Sequence, residues 1–312
     1  MRILSTHGDD TLARVFVAST DDGARIEFVE SVQPPVPRAE KWVLIVSTLK
    51  GCPVRCAMCD AGGDYHGRLS AEEILEQIEI LVRRRFPDGR VPVSKLKVQF
   101  ARMGEPAFND AVLEVLRRLP ERIAAHGLMP CVSTIAPAGR EPFFEELRAI
   151  KQELYPDGRF QLQFSIHSTD EEARRQLMPT RIWSLEEIGA YGRRFHAPGD
   201  RRVTLNFAPV EGLPLEPRIL PRFFPPDRFL IKLTPVNPTR AVLRAGLRGR
   251  IRPGEETEQR MLADAFRCAG YETLVSIGEL RENEIGSNCG MYAHAEAAAA
   301  SGRDVACEGR SK

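Results

Sequence analysis

The stretch WVLIVSTLKGCPVRCAMCDAGG, residues 42–63, decides the fold. It opens on an unbroken apolar run, Trp42-Val43-Leu44-Ile45-Val46, the pattern of a strand buried on both faces. It then passes into a glycine-flanked loop carrying Cys52, Cys56 and Cys59, spaced C-x3-C-x2-C. A structural zinc site takes four ligands, commonly in paired C-x-x-C hooks. Three clustered thiolates suit an iron–sulfur cubane better: soft thiolates select zinc or iron–sulfur, and three cysteines on a four-iron cluster leave one iron open to a small molecule. The spacing leaves two blander readings open, a structural zinc with a distant fourth ligand and buried cysteines with no ligand.

Upstream, residues 11–30 read as two strands, TLARVFVAS and ARIEFVESV, joined by the hairpin signal Asp21-Asp22-Gly23. The proline-rich SVQPPVPRAEK (31–41) closes an N-terminal hairpin unit over residues 1–41. Downstream, strands and helices alternate. Ser70-Ala71-Glu72-Glu73 is a capping box, with a helical face of Ile74, Leu75, Ile78, Leu81 and Val82 behind it. Strands follow at 95–101, 129–136, 160–167, 201–210, 228–236 and 271–278. Helices fall at 110–119 (stopped by Pro120), 142–154, 184–195 and 256–270. About six βα repeats predict an α/β chain: a partial (β/α)6 barrel over residues 42–293, with a small N-terminal β-hairpin extension. Residues 294–312 form the C-terminal helix and tail. Barrel chemistry sits at the C-terminal ends of the strands, and the cysteine loop follows the first of them.

Composition narrows the class. The chain has 312 residues, net charge +1, 43% hydrophobic and 28% charged residues, an ordinary globular balance with no global nucleic-acid signature. No run approaches a membrane span and the first residues lack a signal-peptide pattern, so a cytoplasmic protein with no membrane partner is expected. Seven cysteines without an export signal argue for metal or redox chemistry rather than a disulfide framework.

The cysteine spacing after the first barrel strand resembles the radical S-adenosylmethionine (SAM) superfamily, with Met58 at a position that is usually aromatic there. ARMGEPAFN (101–109), VSTIAP (132–137), FSIHSTDEEARRQLMP (164–179), LTPVNP (233–238) and NEIGSNCGMYA (283–293) together resemble the RlmN/Cfr family of RNA adenine methyl synthases. The resemblance runs from about residue 42 to 293, and more loosely over the hairpin. It implies a [4Fe-4S] cluster on Cys52, Cys56 and Cys59, whose open iron chelates SAM and whose electron cleaves it to a 5′-deoxyadenosyl radical. It implies SAM contacts from Gly104, Glu105, Ser133, Ser165, Ile166, His167 and Asn237. Read without the resemblance, Gly-Glu-Pro is a turn with a solvated Glu105, and His167 a structural histidine. The implied partners are a flavodoxin- or ferredoxin-like electron donor and RNA or a nucleotide-like small molecule.

By the same resemblance Cys289 is the methyl carrier, methylated by one SAM and then attacked at its S-methyl group by the radical from a second. Glu27 falls roughly where the family has its proton-accepting glutamate. The family's resolving cysteine lies seven residues before the first cluster cysteine, where this chain has Ile45. An isoleucine cannot form the disulfide that expels the product. Cys131 and Cys268 read as packing residues, and Cys307 as part of the tail. The chain begins almost at the hairpin, so the resemblance does not reach the family's N-terminal helical RNA-binding domain, and a substrate other than ribosomal RNA is expected. Arg240, Arg244, Arg248, Arg250 and Arg252 form a candidate basic segment, or a solvated face. Arg83, Arg84 and Arg85 read as an exposed helix end. Three functions stand at this point: sp2-carbon methylation through Cys289, a non-methylating radical reaction on a small molecule or peptide, and a non-catalytic iron–sulfur or RNA-binding protein.

Overall fold

The computed structural model describes residues 1–252, 254–278, 285–286 and 292–293. Its elements are β1 (Arg2–Gly8), β2 (Ala13–Ser19), β3 (Arg25–Ser31), β4 (Lys41–Val46), β5 (Leu49–Cys52), β6 (Gly63–Arg68), α1 (Ala71–Arg85), β7 (Lys95–Phe100), α2 (Ala111–Arg122), β8 (Leu128–Thr134), α3 (Glu141–Leu154), β9 (Gln161–Ser165), α4 (Glu171–Leu177), α5 (Leu185–Phe195), β10 (Val203–Phe207), β11 (Phe229–Leu233), α6 (Arg240–Arg244), α7 (Glu256–Cys268) and β12 (Thr273–Val275).

From β4 onward the large sheet is parallel, in the order β4-β7-β8-β9-β10-β11-β12, with six crossovers between seven strands. Among the described residues β12 does not pair back to β4, so the barrel is open. On one face of β4 and β7, Trp42, Leu44, Val46, Leu96, Val98 and Phe100 are buried in one core with Ile74, Leu75, Ile78 and Leu81 of α1. The other face is concave, and its side chains are mixed. The expected capping box holds α1: Ser70 Oγ accepts from the Glu73 N–H at 3.2 Å, and Glu73 accepts from the Ser70 N–H at 2.7 Å.

Three features depart from the sequence reading. First, the N-terminal hairpin gains an outer strand, β1, antiparallel to β2. Its residues are largely exposed, so RILSTHG carries no apolar alternation to announce it. β3 pairs antiparallel with β4, which joins the hairpin to the barrel sheet. Second, the cysteine loop is framed by its own two-stranded ribbon, β5 with β6. Third, Pro120 does not stop α2, which runs on to Arg122. A proline removes the bond to the carbonyl four residues back. That carbonyl, Leu116, accepts instead from the Tyr155 hydroxyl at 2.5 Å. No described helix is long and apolar enough to cross a membrane.

Candidate active site

A cavity of about 420 Å³ opens at the C-terminal ends of the parallel strands. Its walls bring together Cys56, Met58 and Cys59 from the loop, Ser133, Ser165 and His167 from strand ends, and Asn237 beyond β11.

Close backbone packing shapes the loop. Gly51 lies at φ +80°, and a Cβ there would stand 2.4 Å from the Asp64 carbonyl oxygen, so the ribbon closes only around glycine. The Ala57 N–H donates to the Leu177 carbonyl at 2.9 Å. Asp60 accepts from the backbone N–H of Arg240 and Ala241 at the start of α6, at 3.0 and 2.8 Å, and Thr239 Oγ1 donates to the Met58 carbonyl at 3.2 Å. The loop is thereby tied to segments far away in the chain.

Burial pushes the Cys52 thiol up to about 12 and raises Cys56 well above the ordinary thiol range, with neighbouring cysteines adding to both shifts. Burial also raises Cys59. Against this, backbone N–H groups of Val54 and Glu105 favour the Cys52 thiolate, and those of Ala61 and Gly62 the Cys59 thiolate. Donors aimed at buried sulfurs, with like charges crowding them, suit thiolates neutralised by bound cationic iron. Among the described residues no three His, Cys, Asp or Glu side chains gather tightly enough to hold one metal ion. That wider spacing disfavours the zinc reading and suits a cluster whose irons occupy separate corners.

The remaining candidates occupy distinct positions. Gly104 has φ +97°, and a Cβ there would lie 2.4 Å from the Leu49 side chain. Glu105 is buried and is not a cavity-wall residue. Its Oε1 accepts from the Ala107 N–H at 3.0 Å and from the Thr134 hydroxyl, and its Oε2 from the Ile135 N–H at 2.9 Å. Burial lifts its carboxyl to about 7 despite these donors. The solvated-turn reading of Glu105 is therefore incorrect. Ser133 lines the wall and accepts from Gln163 at 3.3 Å. Ile166 is fully buried, and its N–H donates to the Asn206 carbonyl at 2.8 Å. His167 sits at φ +63° with Nδ1 accepting the Ala208 N–H at 3.1 Å. The neutral ring therefore carries its proton on Nε2. Burial, then the cation of Arg174, lowers its pKa to about 4.

Glu27 lies apart from these. It is fully buried on β3 and is not a cavity-wall residue. Its Oε2 accepts from Arg102 Nε at 2.9 Å and Nη2 at 2.5 Å, and its Oε1 from the N–H groups of Tyr292 and Ala293, each at 2.6 Å. Arg102, a cavity-wall residue, also donates to the Gly286 carbonyl at 2.8 Å. Ile45 lines the cavity. Cys289, Cys307 and the helix expected over 293–300 fall outside the described residues, apart from Ala293.

The basic segment is partly spoken for. Arg250 pairs with Glu258 at 3.4 Å, and Arg252 with Glu211 and Glu255. Arg85 of α1 is an inter-element anchor rather than a solvated end, pairing with Glu30 of β3 and with Asp10 at 2.7 Å. Sequence reading missed Gln99, Arg102, Gln163, Asn206, Lys232 and Thr234 as cavity-wall residues. Their signal was present as polar side chains at every second position inside KLKVQF and QLQFS.

No protein-family profile matches the chain. Among curated proteins, it is 30% identical over 288 residues to the probable dual-specificity RNA methyltransferase RlmN of Desulfitobacterium hafniense, covering 89% of this chain and 74% of that protein. The chain belongs to the RlmN family of radical SAM enzymes. It is also 29% identical over 283 residues to the RlmN of Syntrophobacter fumaroxidans, covering 86% and 73%. With the RlmN of Wolinella succinogenes it shares 28% over 212 residues, only 56% of that protein's length. The chain thus spans between about half and three quarters of these RlmN relatives. The crystal structure of a radical SAM methyltransferase from Sphaerobacter thermophilus superposes with a TM-score of 0.71 at 25% identity, covering 94% of this chain and 82% of that one.

Proposed function

We propose that the chain is a radical SAM methyl synthase of RlmN type. Cys52, Cys56 and Cys59 hold a [4Fe-4S] cluster, and SAM lies across the strand ends against Gly104, Glu105, Ser133, Ser165, Ile166, His167 and Asn237. When bound, the cluster supplies the electron for reductive cleavage of SAM. The observation that carries the reading is the loop itself: three buried thiols, two of them met by backbone donors, beside a cavity walled by polar strand ends.

Each side chain has a defined task on this reading. The Glu105 carboxylate, already held by three donors, keeps the strand end rigid and gains an ammonium partner when SAM's amino group approaches. Neutral His167 offers Nε2–H as a donor and excludes a competing charge. Cys289 carries the methyl group as its thioether, and the acceptor is an sp2 carbon of RNA or a nucleotide-like molecule. A flavodoxin- or ferredoxin-like protein is the electron donor.

Anaerobic reconstitution tests the proposal. Reduced protein with SAM should form 5′-deoxyadenosine, and Cys56→Ala should lose both iron and cleavage. An intact cluster that leaves SAM uncleaved would overturn the reading. A second reading, a radical reaction without methylation, is favoured by Ile45 at the cavity wall and by Glu27's commitment to Arg102. Mass spectrometry separates the two: methyl synthesis leaves one methyl group on Cys289, whereas the second reading cleaves SAM and leaves Cys289 unmodified.

A further inference from the structure

Ile45, Gln99, Ser133, Gln163, Asn206 and Lys232 line the cavity from six neighbouring strands, which identifies the concave face of the sheet. Side chains two residues apart on a strand share a face. Below Gln99 the same face therefore carries Lys97 and Lys95, and below Ile45 it carries Val43 and Lys41. Lys41 and Lys95 are register partners, as are Val43 and Lys97. Barrel interiors are ordinarily filled by branched apolar side chains; this one holds lysines.

Their surroundings make the arrangement costly. Among the described residues no carboxylate forms an ion pair with Lys41, Lys95, Lys97 or Arg201. The chain's other buried lysines are paired, Lys50 with Asp22 at 2.6 Å and Glu73 at 3.1 Å, and Lys151 with Asp200. Lys41 donates instead to the neutral amide of Gln33, and Arg201 to the Gly158 carbonyl at 2.9 Å. Burial, then the ammonium groups of Lys97 and Lys95, pulls Lys41 down to about 8. Burial and the charges of Arg201 and Lys97 also lower Lys95. Lys97, Arg201 and Lys232 all act on the buried thiol of Cys131, so three cations from separate strands and loops converge there. Like charges gathered in a partly desolvated cleft create a strong positive potential that an anion would relieve.

We infer that the deep end of the cavity, where Lys232 and Lys97 meet around Cys131, is a subsite for a terminal phosphate of the substrate. Lys41, Lys95 and Arg201 raise the potential behind it. The inference rests on the cavity being the active site, and it narrows the substrate class. A phosphate bound at the inner end must enter first. An internal phosphodiester has chain leaving on both sides and cannot lead into such a cavity. The ligand is therefore a small phosphomonoester, not an RNA chain.

Acylation of lysines in the reconstituted full chain, read by peptide mass spectrometry, tests this. Inorganic pyrophosphate and ribose 5-phosphate should slow acylation of Lys97 and Lys232, while chloride at equal ionic strength should not, and Lys50 should be unaffected. Lys97→Gln should raise the pyrophosphate concentration that protects Lys232 by about tenfold, as expected for one lost charged contact. Absent protection, equal protection by chloride, or protection by an RNA hairpin but by neither small phosphate would overturn the inference. SAM cleavage is measured on the same samples. Protection without cleavage removes the radical reading and leaves the anion site standing; cleavage without protection does the reverse.

Discussion

At the scale of single residues, the site combines groups whose ionisation the fold pushes in opposite directions. His167 is held neutral by burial, with its pKa lowered to about 4. Below the unfolded value of about 6.5 the unfolded chain takes up a proton that the folded chain refuses. His167 therefore weakens the fold progressively as pH falls from about 6.5 to 4. Asparagine tolerates positive φ and does not titrate. Urea unfolding of His167→Asn should show its stability rising relative to the parent by roughly 2–3 kcal/mol between pH 7 and pH 4. Glu105 runs the other way: its carboxyl, raised to about 7, costs stability as pH climbs from the unfolded carboxylate range to 7. Gly104 is a steric case. At φ +97° and with Leu49 against it, Gly104→Ala should destabilise by about 1–3 kcal/mol in the same assay. The Met-Gly-Glu-Pro motif pointed to these residues. Their protonation could not be read from it, because it depends on who surrounds them.

At the scale of elements, partners distant in sequence replace what local rules forbid. Pro120 looks like a helix stop, and locally it is one. α2 continues because Tyr155, at the end of α3, donates to the carbonyl that Pro120 leaves open. Tyr155→Phe should cost about 1–3 kcal/mol by leaving a buried carbonyl unmet. In a Pro120→Ala background the backbone gains an N–H that can donate to the Leu116 carbonyl. The cost should then shrink, and a double-mutant cycle reads that coupling. The Glu27–Arg102 pair joins β3, the loop after β7 and residues 286 and 292–293. Arg102→Leu strands a buried carboxylate, and about 3–5 kcal/mol should be lost in thermal or urea unfolding. Strand and helix order was legible because parallel strands and amphipathic helices repeat their own periods. β1 and the β5–β6 ribbon were not, since an exposed edge strand and a glycine-shaped ribbon carry no such period.

At the scale of the whole molecule, the cysteine loop is coupled to the stability of the chain. Thiols raised by burial must lose their protons to become ligands, so cluster loading releases protons. Iron content after anaerobic reconstitution should rise as pH is raised from mildly acidic to mildly alkaline, and loading should raise the unfolding temperature, because the cluster binds the folded loop better than the unfolded chain. The sequence by itself determined the alternation of strands and helices, the three-cysteine loop after the first barrel strand and the family it resembles, because these are local patterns of spacing and hydrophobicity. Only the tertiary structure decided that Glu27 faces Arg102, that Ile45 lines the cavity, and that lysines from neighbouring strands gather beneath its floor. Those facts depend on strand register, and register is a relation between residues 50 or more positions apart that no local pattern contains.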